Sequence, residues 1–87
     1  MDNDNMLKTA KAVTVAYYKD TLNQEIDFND VYIVWFCKTL QNWKALTSIT
    51  IPDHRYFELT YNGDKKELYF DSYVKENNIA MSVEDRK

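Results

Sequence analysis

Glycine and proline are almost missing from this chain, at one each in 87 residues. That scarcity excludes flexible linkers, low-complexity disorder and folds built from many tight turns. Cysteine is also single, Cys37, so no intramolecular disulfide is expected and the chain suits a reducing compartment. Neither charge sign dominates: 11 basic residues stand against 14 acidic ones, a net charge of −3 with no run of like charges. A nucleic-acid binder needs a basic stripe to neutralise phosphates, so no nucleic-acid partner is expected. The acidity is too mild to suggest a mimic of DNA. The longest apolar run is far too short to span a bilayer, and no secretory signal opens the chain. The expectation is a soluble, cytoplasmic protein with no membrane partner.

What is present suits one small domain, residues 1–87, with frayed ends at about 1–4 and 80–87. Hydrophobic residues make up 45% of the chain and seven tyrosines lift the aromatic share to 15%, a heavy load for so small a core. The central stretch is Val31 to Leu46, which opens on seven consecutive apolar, aromatic or cysteine residues.

In chain order, Asp4 or Asn5 is placed to cap a helix. From Met6 to about Lys19, the residues Met6, Ala10, Val13 and Tyr17 recur at helical spacing, with Lys8, Lys11 and Lys19 off that line. The polar stretch Thr21 to Asp30 has to reverse the chain, with Ile26 and Phe28 plugging the edge of the core. A first strand spans about Val31 to Thr39, with Val31, Ile33, Trp35 and Cys37 pointing one way and Tyr32, Val34, Phe36 and Lys38 the other. Both sets are apolar over the first half, which reads as a central strand covered on two sides. Leu40 to Trp43 forms a corner. Lys44 to Ile51 alternates as a second strand, ended by Pro52-Asp53.

Arg55 to Tyr61 and Lys66 to Tyr73 flank Asn62-Gly63, a dipeptide suited to the positive φ of a tight hairpin. A two-residue loop pairs Phe57 with Leu68; a four-residue loop through Lys65 pairs Phe57 with Phe70. Both keep Phe57, Leu59, Leu68 and Phe70 on one face, whereas a three-residue loop sets Leu59 opposite Glu67 and is rejected. After Val74 the chain turns polar, with Ile79 and Met81 able to dock before a charged end. The expected fold class is α+β: one N-terminal helix packed on a four-stranded antiparallel β-meander.

Through WFCKTLQNWKAL and YFELTYNGDKKELYFDSY, the chain resembles a family of small uncharacterised proteins carried by phages and prophages of Gram-positive bacteria. The likeness covers roughly Val31 to Asn78. It carries no activity and no functional residue to transfer; what it implies is a phage accessory protein in the cytoplasm of a bacterial host. The Ile51 to Tyr56 turn, with His54-Arg55, departs from the glycine-bearing loop expected there.

No motif reaches the level of a catalytic or ligand-binding signature, and neither a cofactor nor a metal site is expected. His54 is the only histidine and lies far in sequence from Cys37, whereas a zinc site wants about four ligands at close spacing. Cys37 reads as a small buried hydrophobe. Glu58, Glu67 and Asp71 share a hairpin face; paired carboxylates can bind a divalent cation or do acid–base work, which suggests a small metal-dependent hydrolase or nuclease as the least favoured reading. The ordinary role of such charges is to keep a sheet face soluble.

Tyr56, Tyr69 and Tyr73 share that face, and Tyr32 or Trp43 is placed to join them. Tyrosine and tryptophan are enriched in binding hot spots, though they also simply decorate sheets. One helix covers only one side of the sheet, so the other meets a partner or a second copy. The expected function is a non-enzymatic protein that binds a host or phage protein through the helix-free face, at Tyr56, Glu58, Tyr69, Asp71 and Tyr73. The alternative is a homodimer with a structural or regulatory role.

Overall fold

Asp2 sets where the chain first becomes regular. Its carboxylate accepts the backbone N–H of Asn5 at 2.8 Å, satisfying one of the donors that a helix start leaves open. The computed structural model describes residues 2–84. In it α1 runs Asn3–Asp20, longer than the spacing predicts and capped by Asp2 in place of Asp4 or Asn5. The buried row is Met6, Ala10, Thr14 and Tyr18, an i, i+4 line. Val13 and Tyr17, expected in that row, flank it half-buried.

The two polar members of the row are buried because each finds a partner far along the chain. Thr14 Oγ1 gives its hydrogen to the Ala10 carbonyl at 2.9 Å. At its 3.0 Å contact with Thr47 Oγ1 it therefore accepts, and Thr47 donates. Tyr18 Oη donates to the Asp53 carboxylate, which Arg55 also engages through its backbone N–H at 3.2 Å and its guanidinium at 3.5 Å. These bonds turn residues that disfavour a core into specific docking points for α1.

After α1 a single 3₁₀ turn, Phe28–Asp30, is closed by a reciprocal cap between Asp27 and Asp30. Ile26 is buried as expected. Phe28 is not; it lies 39% exposed, with the Lys11 ammonium 5.4 Å from its ring centre.

Four strands follow: β1 (Val31–Thr39), β2 (Asn42–Ile49), β3 (Arg55–Asn62) and β4 (Glu67–Val74). They form one antiparallel sheet in the order β1-β2-β3-β4, the expected meander. That order places β1 at the edge, which corrects its reading as a central strand. Its double-sided apolar pattern has another cause. The ladder with β2 runs Ile33 to Thr47 and then Trp35 to Leu46, so Val34 is an extra residue absorbed in a β-bulge. The bulge restarts the alternation. Val31, Ile33 and Phe36 face α1, while Tyr32, Trp35 and Cys37 face away.

The core lies between α1 and the near face of the sheet. Phe57 and Leu59 are fully buried, Phe57 stacks on Phe70 with ring centres 5.3 Å apart, and Tyr17 and Tyr18 close over it at 5.5 and 5.4 Å. Toward the hairpin tips Trp43 stacks on Tyr61 at 5.6 Å and meets Phe36 at 6.0 Å. Trp43 thus belongs to the core and to β2, not to the corner or to an exposed aromatic group.

The parity expected for the last hairpin holds, with a different register. Leu59 pairs with Phe70, Phe57 with Ser72 and Asn62 with Glu67, so the loop is Gly63–Lys66, one residue later than a loop of that length through Lys65. Positive φ falls on Lys66, at 54°, and not on the glycine. Gly63 is needed for space. A β-carbon there would sit 2.7 Å from Gln41 Cβ and closer still to the Gln41 carbonyl oxygen. The loop is held against the β1–β2 corner by Gly63 N–H donating to Asn42 Oδ1 at 2.9 Å and by a Gln41–Asp64 side-chain hydrogen bond.

Beyond β4, Lys75 N–H donates to the His54 carbonyl at 2.6 Å. From there to Glu84 every residue is exposed, and Ile79 and Met81, at 64% and 77%, do not dock on the sheet.

Candidate functional site

The register of the sheet fixes what stands on the face opposite α1. Reading across the strands, one row is Tyr32, Ser48, Tyr56 and Tyr73. The next is Trp35, Leu46, Glu58 and Asp71, and the third is Cys37, Lys44, Thr60 and Tyr69. All five residues expected at the site, Tyr56, Glu58, Tyr69, Asp71 and Tyr73, therefore stand on this face, within three adjacent rows. Tyr32 joins them, 44% exposed.

Two residues join that parity had assigned elsewhere. Trp35, 42% exposed, and the exposed Cys37 are turned outward by the bulge at Val34. Cys37 is thus not the buried hydrophobe expected. No proline, glycine or charge marks the bulge, so only the pairing with β2 reveals these two residues.

The face is polarised. Its β1 side is aromatic and uncharged, through Tyr32, Trp35 and the half-buried Leu46 behind them. Its β4 side is tyrosine-rich and acidic. Glu58 and Asp71 are directly opposed across β3 and β4, where two like charges repel. Lys44 offsets this by reaching Glu58 Oε1 at 3.6 Å. Glu67 is engaged separately, accepting from Tyr69 Oη at 2.5 Å. That hydrogen bond, with the charge of Glu67 beside it, raises the Tyr69 hydroxyl above the ordinary tyrosine pKa.

Glu58 and Glu67 thus engage different groups, Lys44 and Tyr69, while Asp71 stands opposite Glu58. Among the described residues, no group of three or more histidine, cysteine, aspartate or glutamate side chains is arranged to hold a metal ion. Past the third row, at the hairpin-tip end, the face dips into an open depression of about 280 Å³ lined by Cys37, Thr39, Asn42, Trp43, Lys44, Thr60, Tyr61 and Asn62. Amide, hydroxyl and ammonium groups stand along it, but the exposed wall is mainly apolar.

The other raised pKa lies inside the molecule. Burial of Tyr18, reinforced by its hydrogen bond to Asp53, pushes its hydroxyl far above the usual value and keeps it neutral. His54, at φ 62°, is an exposed turn residue whose carbonyl is its structural contribution. No helix among the described residues is long and apolar enough to cross a membrane.

What these rows make is a broad, open surface of flat aromatic rings with hydroxyl tips, a central leucine and a flanking ion pair. Its residue types are those that anchor protein contacts, and it lacks the convergent polar groups of a small-molecule cleft. No curated protein and no solved structure matches the chain. The model of one family matches residues 7–83, nearly the whole sequence including the residues after β4. The chain belongs to that family, the family of unknown function DUF6275.

Proposed function

We propose that this protein is a non-enzymatic interaction module that binds another protein through the helix-free face of its sheet. The observation that carries the reading is the grouping of Tyr32, Trp35, Tyr69 and Tyr73 on one face, each between 42% and 51% exposed, while α1 covers only the other face. An exposed aromatic group rimmed by charges marks a contact surface. The resemblance to phage and prophage proteins of Gram-positive bacteria gives the setting: an accessory protein in the bacterial host cytoplasm whose partner is a host or phage protein.

Tagged protein retained on a resin and exposed to lysate of the phage-bearing host tests this directly. Trp35→Ala with Tyr69→Ala removes two rings that do not support the core, so its circular dichroism matches the natural protein. The partner seen with the natural sequence is expected to vanish with the double variant. Equal capture by a folded double variant overturns the reading.

A further inference from the structure

We infer that the segment after β4, residues 78–83, lies along the helix-free face of a second copy of the chain, and that the two copies exchange these arms reciprocally. The inference rests on the reading of that face as a docking surface and names an occupant for it.

Surface area comes first. The chain exposes 6577 Å². A folded monomer of its 10.4 kDa exposes about 5400 Å², an excess of about 1200 Å². The radius of gyration agrees: 15.1 Å, against about 12 Å for a compact chain of this length. Much of the surplus sits after β4, where every residue from Lys75 to Glu84 is exposed. A stable dimer of ordinary size buries about 800 Å² on each partner, so the surplus suffices for one.

The pattern of the segment says how it packs. Ile79, Met81 and Val83 are 64%, 77% and 89% exposed and alternate with Ala80 and Ser82. In an extended chain that alternation puts all three apolar side chains on one side, about 6.6 to 6.8 Å apart, which is also the spacing of rows on a sheet face. Three side chains thus match three rows. The aromatic side of the face, with Tyr32, Trp35 and Leu46, offers the apolar ground they need. Residues 77–83 carry no charge, so nothing in them is repelled by Glu58 or Asp71. Addition to the free edge of β1 is the poorer fit, because the bulge at Val34 breaks the regular ladder that an added strand would extend.

The second copy follows from how the segment leaves its own sheet. The Lys75–His54 bond continues the β3–β4 ladder past Arg55 and Val74, so the chain runs off the end of the sheet and makes no return over its own face. Reciprocal exchange between two identical chains buries both arms and both faces about one two-fold axis.

Light scattering of the full chain at tens of micromolar is expected to give twice the 10.4 kDa chain mass. Ile79→Ser with Met81→Ser and Val83→Ser should return the single-chain mass while keeping the natural far-ultraviolet spectrum. Mixing provides the second readout: a nitroxide on Cys37 of one copy should broaden the Ile79–Val83 amide signals of an isotope-labelled Cys37→Ser copy. A natural chain of single mass overturns the exchange, as does a dimer that survives the triple variant or Ile79–Val83 signals of the isotope-labelled copy that stay sharp beside the spin-labelled one. Each of these three results leaves capture of another protein by the face intact. The reverse failure, capture that persists without Trp35 and Tyr69, strikes the binding reading while a dimer still forms.

Discussion

The two faces of this sheet are built from similar residues and have opposite fates. Beneath α1, Phe36, Trp43, Phe57, Tyr61 and Phe70 interlock. On the other side, Tyr32, Trp35, Tyr56, Tyr69 and Tyr73 are as aromatic and remain in contact with solvent. Aromatic content does not separate a core from a surface here. Cover does, and one helix of 18 residues covers one face. The outer rings differ in a second way: most end in a hydroxyl, which lets them tolerate water while keeping a flat apolar body for contact.

The comparison breaks most visibly at Phe57. Replacing it with alanine removes a fully buried ring from three aromatic neighbours and should cost about 3–5 kcal/mol in urea unfolding, enough to leave little folded protein. Thr14→Val comes next. It strands the Thr47 hydroxyl in the core and should cost about 1–3 kcal/mol, most of it recovered by adding Thr47→Val. Recovery in that double-mutant cycle would show that the cost lies in the unsatisfied group and not in lost volume.

Tyr18→Phe removes the donor to Asp53 and should cost about 1–2 kcal/mol at neutral pH. It also carries a pH signature. The hydroxyl of Tyr18 ionises at a higher pH folded than unfolded, so its contribution is complete below about pH 10, where an unfolded tyrosine ionises, and is lost as the pH rises beyond that. The natural protein should lose stability above that pH more steeply than the phenylalanine variant, as followed by thermal melts across the alkaline range. The smallest effect belongs to the open face: Tyr73→Ala should change stability by no more than about 0.5 kcal/mol. A cost approaching that of Phe57→Ala would erase the difference between the faces.

What the sequence allowed to be read follows the same division. Periodicity located the helix and all four strands, and parity grouped Phe57, Leu59, Leu68 and Phe70 correctly, because local spacing alone controls those features. The five outer-face residues were legible for the same reason. Thr14 and Tyr18 were missed in the core because what makes their burial possible lies 33 and 35 residues away, at Thr47 and Asp53. Asn62-Gly63 gave the hairpin but the wrong use of the glycine, since its neighbour in space is Gln41 of the other hairpin. Trp35 and Cys37 were placed on the wrong side for want of one fact, that β1 is one residue longer than the stretch of β2 it pairs with.

That extra residue has a consequence for how the gene can change length. Excising Val34 would bring Ile33 and Trp35 together opposite Thr47 and Leu46, giving a ladder without interruption in which every remaining side chain of β1 keeps its present face. Excising a residue farther along, such as Phe36 or Cys37, would instead turn over part of the strand, either beyond the cut or, with the bulge given up, between Val34 and the cut. Deletion at codon 34 is therefore the mild lesion in this strand, and a purified Val34-deleted protein should fold with the natural far-ultraviolet spectrum. Among relatives of different length, a gap in β1 is expected to fall there.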